Sequence, residues 1–251
     1  MATLWIAGLG PAGMGQMTLE TLRLLRDCDT VILRTAIHPA AAEIGGEGIG
    51  YISCDSFYET GADFQQVYER IVDFVLEKAA GAGRVCYCVP GHPLVAEETV
   101  RLLLERGPAV GIEPRVLPGM SFLDPAFLLL GLDPARDGLM ILDGPAFAAE
   151  AVERATAWSL PRLFTQVYSN LVAGELKLAL LDELAPETEV VILYHVGEAG
   201  KEGKYRRPLA ELDHFRHFDH LTSVFVPAGG APGIEPNIGA AAAPKRANMY
   251  K

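Results

Sequence analysis

Through its first half the chain alternates short, continuously apolar segments with longer amphipathic ones, and few folds tolerate that pattern. Thr3–Ala7, Thr30–Leu33, Tyr51–Cys54, Val85–Val89 and Pro114–Leu117 read as five strands. The core of the second, Val31-Ile32-Leu33, has no polar alternation, so it suits a parallel strand covered on both faces. Between the strands, Met17–Arg26 has helical spacing through Met17, Leu22, Leu24 and Leu25. Phe64–Ala80 carries apolar positions at 64, 67, 68, 71, 74, 75 and 76, and Glu97–Glu105 turns Val100, Leu103 and Leu104 inward. Thr18 stands where a helix N-cap belongs, but Thr21 rather than Glu or Gln follows three residues on, so there is no capping box. Strands and helices joined by short connections predict an α/β fold with a mostly parallel sheet. Pro125–Leu132 adds a helix, closed by Asp133-Pro134.

A second α/β unit begins near Leu139. It contains the apolar run Leu139–Leu142, helices at Phe147–Trp158 and Leu171–Leu184, and strands at Arg162–Tyr168, Glu189–Tyr194 and Ser223–Val226. A charged loop is predicted at Gly197–Arg207. The expected division is an N-terminal α/β domain over 1–135, a C-terminal α/β domain over 136–228, and a disordered Gly/Ala/Pro-rich tail over 229–251. His214, His217 and His220 recur at intervals of three in a polar stretch, which reads as solvated surface rather than a metal site.

The formal net charge of −11, from 32 acidic against 21 basic residues, would repel a polyanion and argues against a nucleic-acid partner. A neutral or cationic small molecule or a peptide remains open. No apolar run reaches the roughly 18 residues of a membrane span, and no charged segment precedes the apolar start as in a secretory signal. Cys28, Cys54, Cys86 and Cys88 lack Cys-x-x-Cys spacing and read as free thiols of a cytoplasmic protein, with Cys86 and Cys88 on one strand face.

In an open parallel sheet, ligands gather at the carboxyl ends of the strands. The loop after the first strand, Gly8-Leu9-Gly10-Pro11-Ala12-Gly13, superficially fits a dinucleotide-binding glycine pattern. However, the second strand ends in Arg34-Thr35 rather than an acidic residue, and Pro11 interrupts the turn, so NAD is not the expected ligand. Further loops at that end are Arg34–Pro39, Asp55–Glu59, Val89–Glu97 and Pro118–Phe122. The two prolines around Gly91-His92 make a rigid turn that exposes backbone N–H and C=O groups.

These loops resemble those of the tetrapyrrole (corrin/porphyrin) methylase superfamily, and within it the methylase-like domain found fused ahead of a MazG nucleotide pyrophosphohydrolase. The resemblance is carried by Gly8-Leu9-Gly10-Pro11, Leu33-Arg34-Thr35 with His38-Pro39, Tyr58-Glu59, Pro90-Gly91-His92-Pro93-Leu94-Val95-Ala96-Glu97, Ser121-Phe122-Leu123-Asp124 and Leu221–Pro227. It implies two α/β domains with S-adenosylmethionine folded in a cleft between them and held largely by backbone groups. By match of motif, Pro11, Gly91, His92, Val95, Ser121 and Phe122 would line the cofactor pocket. Val167, His195 and Pro227 would close it from the second half of the chain. His92 stands where many members carry Asp, and Ala12-Gly13 replaces the commoner Gly-Asp. No MazG sequence follows, so a MazG-type partner is expected as a separate protein, or the chain stands alone; paired subunits are also implied.

On the acceptor side the candidates are Arg34, His38, Asp55, Tyr58 and Tyr68. Arg34 is read either as a substrate contact or as half of a structural bridge to Asp55. His38 is read either as functional or as a turn cap, and Tyr68 as core. Tyr58 is favoured because it falls in a polar loop. Three activities stay open: methyl transfer to a small, possibly tetrapyrrole-like molecule; borosin-type N-methylation of a peptide backbone; and a non-catalytic cofactor-binding or scaffold module. Against the second, Phe64 and Pro90 stand where Arg and Tyr would be expected.

Overall fold

The computed structural model describes residues 2–60, 63–81, 83–149 and 158–230. Two compact units account for the chain, one formed by Met1–Ala126 with Tyr194–Gly203 and the other by Phe127–Leu193 with Lys204–Lys251. The first contains β1 (Ala2–Gly8), α1 (Leu19–Asp27), β2 (Thr30–Leu33), α2 (Pro39–Gly46), β3 (Ile52–Ser53), α3 (Asp55–Thr60), α4 (Phe64–Ala80), β4 (Val85–Val89), α5 (Glu98–Arg106), β5 (Ile112–Val116) and the start of α6 (Leu123–Leu130). Its five strands run in the order β3-β2-β4-β1-β5, and every pairing is parallel.

The buried strands are those with the most continuous apolar sequence. All five residues of β4 are buried, as a central strand covered on both faces requires. Alternation along β4 sends Tyr87 to a core with α4 and α5, and Cys86 and Cys88 to a core with α1 and α2. The two sulfurs lie 3.5 Å apart. Thr18 caps α1 alone, its side chain accepting from the Thr21 amide. The inward positions of α4 are Val67, Ile71, Val72, Val75, Leu76 and Ala79.

Several sequence expectations need correction. Phe64 is 63% exposed and Leu104 37%, because both fall at the edge of their helices' apolar stripes. The third strand shortens to Ile52–Ser53, and the polar residues after it form α3 rather than a loop. The Arg34–Pro39 loop runs directly into α2, an Ala/Gly-rich helix started by Pro39 at its first turn.

The second unit contains α7 (Pro134–Asp137), β6 (Met140–Asp143), α8 (Gly144–Ala148), β7 (Arg162–Thr165), α9 (Asn170–Leu181), β8 (Glu189–Tyr194), β9 (Gly203–Pro208) and β10 (Thr222–Val226). Its sheet order is β6-β7-β10-β8-β9; β6 pairs with β7 in parallel and β10 with β7 antiparallel, so this sheet is mixed. Ser169 caps α9 by accepting from the Val172 amide. The predicted charged loop over 197–207 ends in strand β9, whose charged residues are tolerable because its faces are half exposed. The predicted helix over 147–158 starts at Gly144, and most of its length lies outside the described residues, as does the tail from 231. Among the described residues no helix is long and apolar enough to cross a membrane.

Candidate functional site

Three loops at the carboxyl end of the first sheet pack backbone against backbone. The segments after β1 and β4 form an antiparallel bridge in which Gly91 N–H donates to the Gly10 carbonyl at 2.8 Å and Gly10 N–H donates to the Gly91 carbonyl at 3.3 Å. Both glycines have positive φ, +78° at Gly10 and +66° at Gly91, a conformation that side chains resist. A Cβ on Gly8 would stand 2.2 Å from the Gly91 carbonyl oxygen, whereas one on Gly119, in the loop after β5, would make only ordinary contacts with Gly8, Gly91 and Pro93. At Gly91 itself a Cβ would enter open space. The backbone of the Pro90–Pro93 turn is therefore accessible to a ligand on the side where a side chain would project.

Around this cradle the polar side chains are engaged. His92 accepts through Nδ1 from the Leu94 amide at 3.0 Å, and its carbonyl accepts from the Val95 amide. Ser121 is buried; its hydroxyl accepts from the Leu123 amide and its own amide donates to Asp124, which fixes the start of α6. His38 caps α2 by accepting at Nδ1 from Ala40, leaving Nε2 to donate to the Gly10 carbonyl at 3.1 Å. Burial holds its imidazole below the usual value, so the neutral form that this pairing needs is favoured. In Tyr194–Gly203, His195 has φ +48° and stands 2.6 Å from Glu198. Burial opposes the Glu198 charge, but Lys201 and His195 hold the carboxyl below its usual range. The Gln16 side chain donates to the Gly197 carbonyl, tying this segment to the loop after β1.

A second cluster lies at the ends of β2 and β4. Arg34 pairs through Nε with Glu97 at 3.0 Å and donates from Nη1 to the Tyr58 hydroxyl at 3.0 Å. Thr99 shares its hydroxyl with Tyr87 at 2.9 Å and faces Glu97 at 3.5 Å. Burial works against the Arg34 charge, but Glu97 and Tyr58 outweigh it and raise its pKa. Burial pushes the Glu97 carboxyl up to about 7, with Arg34 pulling the other way. Tyr58 and Tyr68 are both raised by burial, so both phenols stay protonated near neutrality. Tyr68 also borders a surface groove of about 240 Å³, which Gln65, Glu69, Glu98, Arg101 and Leu102 complete.

A family model for Tetrapyrrole (Corrin/Porphyrin) Methylases matches residues 3–213. The chain belongs to the tetrapyrrole methylase family. It is 38% identical over 222 residues to the uncharacterized protein YabN of Bacillus subtilis, covering 88% of this chain and 44% of that one. It is 28% identical over 139 residues to a methyltransferase/type I borosin cyclic peptide precursor of Mycena rosella, covering 55% of this chain and 35% of that one. This tetrapyrrole methylase thus spans less than half the length of these curated relatives. The crystal structure of uroporphyrin-III-C-methyltransferase from Thermus thermophilus shares the fold, with TM-score 0.64 and 21% identity over 91% of this chain and 95% of that one.

In this tetrapyrrole methylase Gly91, His92, Val95, Ser121 and Phe122 fall in the loops just described, and Pro11 follows the bridged Gly10. Val167 is fully buried in the second unit, packed near Gly144, and Pro227 is half-buried directly after β10. On the acceptor side the Arg34–Asp55 bridge does not form. Asp55 instead accepts from Ser53 at 2.6 Å and the Ala36 amide at 2.9 Å, and these bonds hold its carboxyl low against the opposing effect of burial. Tyr58 lies in helix α3 rather than a polar loop, and Tyr68 is half-buried, stacked on Phe64 at 6.2 Å. Sequence reading missed Glu97 as a site residue. It appeared as the last residue of the Pro90–Glu97 run and the first of a helix, with no role of its own; the residue before it, Ala96, has φ +55°.

Proposed function

We propose that the protein binds S-adenosylmethionine against the loops after β1, β4 and β5, and transfers its methyl group to an acceptor held near Arg34 and Tyr58. The observation that carries this is the open space over Gly91, a backbone cradle that a Cβ would fill, at the carboxyl end of a parallel sheet. Bound there, the sulfonium supplies an electrophilic methyl carbon. The chain's part is to align an acceptor with it and exclude water, so positioning outweighs acid–base chemistry. The Arg34 guanidinium and the protonated Tyr58 hydroxyl are both donors, and they suit an acceptor that presents an oxygen lone pair beside the atom to be methylated. The groove beside Tyr68 carries Glu69 and Glu98, with Arg101 already bound to Glu98 and Glu105, which favours a neutral or cationic acceptor. A small tetrapyrrole-like molecule is the first reading of that acceptor. The Mycena rosella similarity favours a peptide backbone as the second. The family resemblance further suggests a homodimer and a MazG-type partner.

Titration calorimetry with S-adenosylmethionine and S-adenosylhomocysteine tests the reading. A dissociation constant in the micromolar range, about −8 kcal/mol, is expected. A folded protein that binds neither would leave only a shared fold. Gly91→Ala should weaken binding at least about tenfold, since the new methyl occupies the cradle, while its positive φ costs about 1–2 kcal/mol of stability. Unchanged affinity in that variant would move the cofactor elsewhere.

A further inference from the structure

Glu97 is a buried titratable group to which cofactor binding gives no task. It sits at the N-cap of α5 but makes no capping hydrogen bond; its side chain, only 9% exposed, turns inward to Arg34. Two features oppose that arrangement, the positive φ of Ala96, which carries a Cβ, and the removal of a carboxylate from water. The second is met by a single guanidinium that also reaches Tyr58. We propose that Glu97 is a positioning residue: its carboxylate fixes the Arg34 guanidinium so that Arg34 donates to Tyr58, and its ionisation decides whether the Tyr58 hydroxyl is held. The proposal rests on the methyl-transfer reading only in naming Arg34 and Tyr58 as the groups that meet the acceptor.

The geometry carries it. Nε of Arg34 stands 3.0 Å from one Glu97 oxygen, and Nη1 stands 3.0 Å from the Tyr58 hydroxyl oxygen. The contact at Nε is an ion pair rather than an aligned hydrogen bond, since the Nε–H meets no acceptor in line; it holds the charge of the planar guanidinium beside Glu97, and Nη1 of the same plane meets Tyr58. Thr99 faces the other Glu97 oxygen at 3.5 Å and is itself braced by Tyr87. Because Tyr58 accepts from Arg34, its own proton is directed away from the guanidinium, toward whatever lies on its other side. Glu97 also joins the two halves of the site, since only Pro93, Leu94, Val95 and Ala96 separate it from His92 in the turn after β4.

The titratable groups that act on this cluster are Arg34 from the end of β2, His38 before α2, Cys54 before α3, Asp55 and Tyr58 from α3, Tyr68 from α4, Tyr87 from β4 and Glu98 from α5. Burial raises Cys54 and the three tyrosines and lowers His38, and hydrogen bonds hold Asp55 low against burial, whereas Glu97 is brought to about 7. Glu97 is thus the member of the cluster that changes charge near neutrality.

The experiment follows the Tyr58 resonance by NMR in protein carrying tyrosine isotope-labelled at the hydroxyl-bearing ring carbon, assigned with Tyr58→Phe. In the wild-type protein the signal should move with pH with a midpoint of about 7, and in Glu97→Gln it should be flat over the same range. Thr99→Val, which leaves both charges in place, should move the midpoint upward, because Thr99 stabilises the ionised carboxylate. A Tyr58 signal without an inflection in the wild type, or the same inflection surviving in Glu97→Gln, would overturn the proposal, as would an unmoved midpoint in Thr99→Val. The signal is read without cofactor or acceptor, so failure of this coupling and failure of cofactor binding are separate results.

Discussion

Gly8→Ala should cost about 3 kcal/mol of stability, at the upper end for an overpacked core position, and abolish measurable S-adenosylhomocysteine binding. The added methyl would stand 2.2 Å from the Gly91 carbonyl oxygen and 2.9 Å from Cδ of Pro93. Neither neighbour yields easily. The Gly91 carbonyl is held in the bridge to Gly10, and the proline ring has no other rotamer to adopt. Relief therefore requires the turn after β4 to lift from the end of β1, which dismantles the cradle. Gly119→Ala is the control: its methyl meets Gly8, Gly91 and Pro93 at 3.4–3.6 Å, ordinary contact, and should cost less than about 1 kcal/mol. Denaturant unfolding with ligand titration on both variants checks the pair. Equal stabilities would mean that the loops do not approach one another as described.

The second large effect is a pH dependence. Burial lifts the Glu97 carboxyl from its ordinary 4.5 to about 7 in the folded chain. Between these values the folded state keeps a proton that the unfolded state has released. The stability contributed by Glu97 is therefore complete below about 4.5 and lost as pH rises through about 7. Over that interval the loss approaches about 3 kcal/mol, at 1.36 kcal/mol per unit. Glu97→Gln resembles the neutral carboxyl and lacks this slope. Its stability relative to wild type should thus improve by up to that amount between about pH 4.5 and 7.5, a direction consistent with buried ion pairs whose desolvation exceeds their attraction. Unfolding curves of both proteins across that range test it. A variant that instead loses ground as pH rises would show that the Arg34–Glu97 attraction outweighs burial.

Much of the first unit was legible because its strands are apolar without interruption and its helices keep their period. Val31-Ile32-Leu33 suited a covered strand, Val85–Val89 read as a strand, and Thr18 stood at the N-cap position of α1. The Pro90-Gly91-His92-Pro93 turn was legible for a related reason, since such punctuation at a strand end permits few conformations. What was hidden depends on contacts distant in sequence. Asp55 and Glu97 are both acidic and both near Arg34 by loop position; which of them pairs with it is decided by Ser53 and Ala36 satisfying Asp55 locally. α2 and α3 were missed because Ala/Gly-rich and polar six- to eight-residue segments carry little period. β9 was missed because Lys204, Arg206 and Arg207 give it the composition of a loop.

The central claim, that the cofactor lies against the three glycine turns, is tested most directly by amide hydrogen exchange with and without saturating S-adenosylhomocysteine. Exchange should slow at residues 8–13, 91–96 and 118–122, with little change in α4, β5 or α9. Protection confined to other segments, or none despite measured binding, would contradict the placement of the site.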